Sequence, residues 1–151
     1  MANTQAMCTS FKGELLVGHN NFGTGVTRGS TAADTFKAAL YLASATVNAS
    51  TTAFSATNEV SGTGYTTGGV TVTFGTAPST SGTTAFVTPS ASIAFTTVTL
   101  STAFDAVLIY NSTQSNKAVS VHTFGSQTVT AGTFTLTMPT NDASTGLIRL
   151  A

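Results

Sequence analysis

Few residues in this chain could carry chemistry. Five carboxylates (Glu14, Asp34, Glu59, Asp105 and Asp142), two histidines (His19 and His122) and one cysteine (Cys8) are its whole supply of acids, imidazoles and thiols. General acid–base work needs such groups brought together with shifted affinities for protons. Here the carboxylates lie far apart in sequence, each beside a turn or an element end, where hydrogen bonding to backbone amides accounts for it. His19 and His122 have no partner at metal-ligand spacing, and Cys8 completes no set with them, so no metal is expected. Serine and threonine are too abundant for any one to mark a nucleophile, and no G-x-S-x-G elbow is present. The glycines of EVSGTGYTTGGVTVTF (Gly62, Gly64, Gly68, Gly69) lack the lysine of a phosphate loop and lead into a strand, which offers an anion no helix N-terminus. The expectation is a protein that is not an enzyme, with no catalytic residue and no cofactor.

Two more specific chemistries have residues of the right type. Lys37 could join Asn111 or Asn116 in an amide crosslink assisted by Glu59, although no spacing requires it. The threonine rows Thr71 and Thr73, and Thr133, Thr135 and Thr137, could face an ice lattice if they formed a flat array. Threonine is also an ordinary solvent-face strand residue, and no fixed repeat builds such an array.

Composition narrows the partners. Of 151 residues only 7% are charged, the formal net charge is zero, and tryptophan is absent. Typical soluble proteins are about 25% charged. Serine and threonine fill about a third of the chain, so hydroxyls rather than charges must keep the surface wet, and near-zero charge favours close association. No basic stripe is available for phosphates, so no nucleic-acid partner is expected. The longest apolar runs, Ala38 to Ala45 and Ala106 to Tyr110, fall far short of the roughly 20 residues of a membrane helix, and no membrane partner is expected. MANTQAMCTSFKGELL lacks the basic start and apolar run of a secretory leader, which points to synthesis in a cytoplasm.

The elements that would position these residues are nearly all strands. Thr9 to Val17 is the one helix candidate, with Phe11, Leu15 and Leu16 at helical spacing and Gly18 at its end. HNNFGTGVTRGSTAAD then reads as an irregular arm, making 1–33 a helix or arm region and 34–151 the β domain. Strands are expected over Asp34–Ala43, where the alanines and leucines leave a short helix as the competing reading, and over Val70–Phe74, Ile93–Leu100, Ala106–Tyr110, Ala118–Phe124 and Gly132–Met138, with a final edge strand in Leu147–Leu150. Between Phe95 and Val98 the apolar phase slips at Thr96-Thr97, as it does at a β-bulge. The run AVLIY marks a central strand covered on both sides. Pro78 and Gly82 mark GTAPSTSGTTAF as a loop without regular structure, and Gly125 closes the strand before it. Short strands with turn residues between them predict an antiparallel β-sandwich, jelly-roll or immunoglobulin-like.

The segments SFKGELLVGHNNF, DTFKAALY, NEVSGTGYTTGGVTV, FDAVLIYN, KAVSV and the closing LIRLA, in that order, resemble a family of small structural proteins of tailed bacteriophages. The resemblance implies a capsid decoration or cement protein on the virion exterior, made in the host cytoplasm. Its partners would be the major capsid protein and further copies of itself, as a dimer or trimer. Phe11, Leu15, Phe22, Arg28 and Tyr65 are the candidate contact residues. The rival reading is a tail, neck or head-fibre domain that binds a host glycan through Tyr65 and Tyr110.

Overall fold

The computed structural model describes residues 3–8, 11, 19–20, 22–23 and 33–150. Over these the chain is all-β and antiparallel, with eight strands. They are β1 (Ala6–Met7), β2 (Phe36–Leu42), β3 (Val70–Val72), β4 (Ser79–Ser81), β5 (Thr84–Val87), β6 (Ile93–Asn111), β7 (Lys117–Leu136) and β8 (Ile148–Leu150). A five-stranded sheet runs β1-β7-β6-β2-β3, and a three-stranded sheet runs β4-β5-β8. The expected helix over Thr9–Val17 falls, apart from Phe11, outside the described residues.

The large sheet is centred on β2 and the adjoining half of β6. Alternation sends Phe36, Ala38 and Leu40 to one face and Ala39 and Tyr41 to the other, and all five are buried. Opposite them, Ala106 to Tyr110 are at most 2% exposed, which fits a continuous apolar run covered on both sides. On the Phe36 face the rings of Phe11, Phe22, Phe36 and Phe74 interlock, with Phe22 stacked on Phe36 at 4.8 Å and edge-on to Phe74 at 5.1 Å. Each such pair adds about 0.5–1.5 kcal/mol beyond its buried area. On the other face Phe54 stacks on Tyr110 at 4.7 Å. Ala6 and Met7 pair with Val121 and Ser120, so the described part of residues 1–33 is built into the domain.

The chief departure from the sequence expectation is the length of β6 and β7. Ile93–Leu100 and Ala106–Tyr110 are two ends of one 19-residue strand, and Ala118–Phe124 and Gly132–Leu136 belong to one 20-residue strand. Gly125 does not close a strand. It lies where four β7 steps, Gln127 back to Thr123, oppose two on β6, Phe104 to Ala106. The compensating excess falls on β6 between Leu100 and Phe104. These paired irregularities bend the hairpin without ending it, because an extra residue kinks a strand while the flanking ladder continues. The bulge expected at Thr96-Thr97 is present: the register shifts between Phe95 and Val98, and Thr97 has φ 55°.

The segment around Pro78 and Gly82 also differs, since it forms the β4–β5 hairpin. Ser81 pairs with Thr84, leaving Gly82 and Thr83 as a two-residue turn, and Gly82 has φ 57°. The glycine expected to break structure supplies the positive φ that a tight hairpin requires, while Pro78 stands just ahead of β4 and costs it no ladder bond.

Candidate functional site

The glycine-rich loop between Glu59 and Val70 is organised by a carboxylate. Glu59 is 8% exposed. Its Oε1 accepts hydrogen bonds from the Tyr65 hydroxyl at 2.7 Å and the Gly68 amide at 2.8 Å. The Tyr65 hydroxyl accepts from the Leu40 amide at 3.0 Å, and the Tyr110 hydroxyl donates to the Gly68 carbonyl at 2.8 Å. Burial raises the affinity of Glu59 for a proton, against the lowering effect of these two donors. Burial likewise lifts Tyr41, whose hydroxyl donates to the Ser55 carbonyl, to about 12.

This loop lies flush on the backbone of its neighbours. A Cβ on Gly64 would collide with the Thr97 carbonyl oxygen, and one on Gly69 with the Ala38 carbonyl oxygen, and both glycines have positive φ. Thr63 bridges Thr99, and the Thr99 amide donates to the Thr63 carbonyl at 2.9 Å. The loop therefore covers the open side of β6 where β2 no longer reaches it. Its chemistry is that of a closed turn with satisfied polar groups.

The amide crosslink between Lys37 and Asn111 is ruled out by register. Lys37 pairs with Tyr110 and Phe36 with Asn111, so Lys37 shares the face of Tyr110 while Asn111 points to the opposite face. Asn111 donates to Asn20 at 3.0 Å and Asp34 at 2.8 Å, and its Oδ1 accepts from the amides of Thr113 and Gln114. Asn116 is an exposed turn residue with φ 59°.

The other described carboxylates also hold local structure. Asp105 accepts from Asn3, tying the chain ahead of β1 to β6. Asp142 accepts from the amides of Ser144 and Thr145 and from the Thr145 hydroxyl, which pulls its proton affinity down. Glu14 lies outside the described residues. Among those described, no three His, Cys, Asp or Glu side chains gather as a metal site.

A cleft of about 590 Å³ opens between the two sheets, bordered by Gln5, Met7, His122, Thr84, Leu147 and Arg149. Burial pushes the His122 imidazole down to about 4, so it is neutral at pH 7. Its Nε2 lies 2.9 Å from the Ser120 hydroxyl. Ser120 is only 3% exposed and is not part of the cleft wall, so this pair presents no nucleophile to a ligand there. The Arg149 guanidinium is engaged with the carbonyls of Ala143 and Ser144.

A distinctive surface is formed by the far half of the β6–β7 hairpin. Thr96, Thr97, Ser101, Thr102, Thr128, Thr130, Thr133 and Thr135 are exposed, while Ile93, Phe95, Val98 and Leu100 are buried beneath. No residue from Val60 to Phe104 or from Ala118 to Asn141 carries a formal charge. The bulges, with positive φ at Thr97 and Ala131, break this hydroxyl surface into segments, which removes the flat array that ice binding would need.

The candidate contact residues are not brought together on that surface. Phe11 and Phe22 are 0% and 5% exposed and sit in the aromatic core. Tyr65 is half-buried, with its hydroxyl turned inward to Glu59 and its ring stacked 5.8 Å from Phe95. Tyr110 is 2% exposed, so neither tyrosine of the glycan reading forms an open platform. Leu15 and Arg28 lie outside the described residues. Sequence reasoning missed the Glu59–Tyr65–Gly68 network, although a lone carboxylate entering a glycine-rich turn was its available signal. No protein family, curated protein or solved structure matches the chain.

Proposed function

We propose that this chain is a non-enzymatic structural protein of a bacteriophage virion that binds the outer surface of the capsid and stabilises it. The observation that carries the reading is the long, bent β6–β7 ribbon with its uncharged hydroxyl face. Such a face presents many neutral donors and acceptors and little charge to desolvate. That suits contacts that are individually weak and multiplied over a repeating shell. The ordered set of phage-like segments points the same way. In this role the protein acts by mass action: a ligand that binds only the assembled shell shifts the equilibrium toward it. The major capsid protein is the partner, and the decorating unit is a symmetric homo-oligomer.

The test is to add the purified protein to undecorated heads and image them. Density at regular positions over the shell, with a raised temperature of head disruption, is the expected result. Absence from the shell with density only at the tail or neck would replace this reading with the fibre one. Deleting residues 1–33 is not a useful probe, because it removes β1 and the core rings Phe11 and Phe22. Arg28→Ala tests the same segment without taking away any described core residue.

A further inference from the structure

We propose that the outer edge of β7, from Gln127 to Leu136, is a self-association surface that pairs antiparallel with the same edge of a second copy about a two-fold axis. The inference names a surface for the oligomer proposed above and rests on that part of the reading alone.

The edges of the two sheets are treated very differently. β1 is two residues long, and β3, β4 and β8 are three each. Very short edge strands are one of the means by which proteins avoid unwanted pairing. The free side of β6 beyond β2 is covered by the glycine loop through Thr63 and Gly64. Among the described residues β7 has neither protection. Its backbone bonds to β1 end at Val121, and among the described residues no main-chain partner lies on its outer side from Gln127 to Leu136. Ten residues of strand are roughly 34 Å of unpaired amides and carbonyls. This stretch holds no Lys, Asp, Glu, Arg or Pro to block a pairing partner. One bulge, at Ala131, interrupts it.

A second copy of this chain fits as the occupant for three reasons. The edge carries no charge, so two copies meet without repulsion. Antiparallel pairing of identical segments is self-complementary about a two-fold axis, and the closed dimer leaves neither β7 edge open. Such an axis, perpendicular to the sheet, also keeps each face on its own side. The half-buried row Val129, Phe134 and Leu136 then continues into its own copy, as does the exposed row Thr133 and Thr135. Phe134 already packs on Phe104 at 5.0 Å and Phe124 at 5.1 Å, and a neighbouring ribbon would cover the sides these contacts leave open. Cross-strand aromatic and Thr–Thr pairs are favourable units of such a join.

The experiment is sedimentation velocity over a concentration series, with the wild type beside Thr133→Lys/Thr135→Lys. Both side chains are exposed, so the substitutions leave the core intact, and they set four ammonium groups around the axis. A thermal melt of each sample confirms folding, and Thr133→Glu/Thr135→Glu is the second variant should the lysine form melt early. Thr71→Lys/Thr73→Lys, on and just beyond the β3 edge, is the control. Expected are a wild-type dimer, an unchanged control and at least a tenfold weaker dimer in either β7 variant. A monomeric wild type, or an oligomer that survives both β7 variants, overturns the proposal. Occupancy on heads is measured separately, so failure of the virion reading and failure of this surface are distinguishable.

Discussion

Replacing Glu59 by alanine removes the acceptor that closes the glycine loop, and the structure sets the size of the effect. The Tyr65 hydroxyl at 2.7 Å and the Gly68 amide at 2.8 Å both lose their partner, and the Gly68 amide is fully enclosed. An orphaned buried donor costs about 1–3 kcal/mol, and the hydroxyl can recover part of this by turning, so the sum is about 3 kcal/mol. For a domain of this size that lowers the melting temperature by about 6–12 °C. Glu59→Gln keeps a carbonyl oxygen in place and removes the cost of burying a charge, so its loss should stay within about 1 kcal/mol at pH 7. The two variants also separate by pH. Burial raises the folded-state pKa of Glu59, so the folded protein holds this proton more tightly than the unfolded chain. Its contribution to stability is fully present below the unfolded pKa and is lost as pH rises through the raised folded value. Wild type should therefore gain on Glu59→Gln as pH falls through that window. Calorimetric melts of the three proteins provide the assay. A Glu59→Ala melting point within 2 °C of wild type would refute the argument that this carboxylate holds the loop.

Other substitutions test the backbone and the cleft. Gly69→Ala should cost more than about 3 kcal/mol, because it combines a positive φ with a collision against the Ala38 carbonyl. Gly82→Ala shares the positive φ but meets nothing nearby, so about 1 kcal/mol is expected. Equal losses in denaturant titrations would show that the close approach at Gly69 is not what requires glycine. His122 has its folded pKa depressed to about 4, so the unfolded chain takes up this proton first as pH falls. Its stabilising contribution is present above roughly 6.5 and is lost as pH drops toward the folded value. Melts of Glu59→Gln and Glu59→Gln/His122→Gln between pH 7 and 4 separate the effect of His122 from the opposing effect of Glu59. The double variant should lose less on acidification, and parallel curves would contradict the assigned burial of the imidazole.

Strand identity was largely legible in the residues because it rests on local alternation. Phe36 to Leu42, the run Ala106 to Tyr110 and the phase slip at Thr96-Thr97 each carry their signal within a few neighbours. What stayed hidden was continuity. Whether Gly125 ends a strand or bends it depends on β6, which must yield extra residues between Leu100 and Phe104 some twenty positions away. The same limit applies to Gly82, a breaker in isolation and a turn former once Ser81 and Thr84 are paired. Whether an aromatic side chain faces a partner or a core is not written in its own residue type. Phe22 and Tyr65 face inward because Phe36 and Glu59 are there to receive them.

The bend in the hairpin separates two kinds of strand within one. From Phe104 to Asn111, β6 lies between β2 and β7 with nearly every side chain buried. Beyond the bend, the ribbon has one apolar face, a glycine loop along the free side of β6 and, among the described residues, no main-chain partner on the outer side of β7. The far half lies wholly within the two uncharged stretches, where Lys or Glu would ordinarily protect an edge. Charge is thus missing where a solitary monomer would gain most from it. A surface of that kind is consistent with a chain whose working state is assembled, with its edge paired and its hydroxyl face in contact.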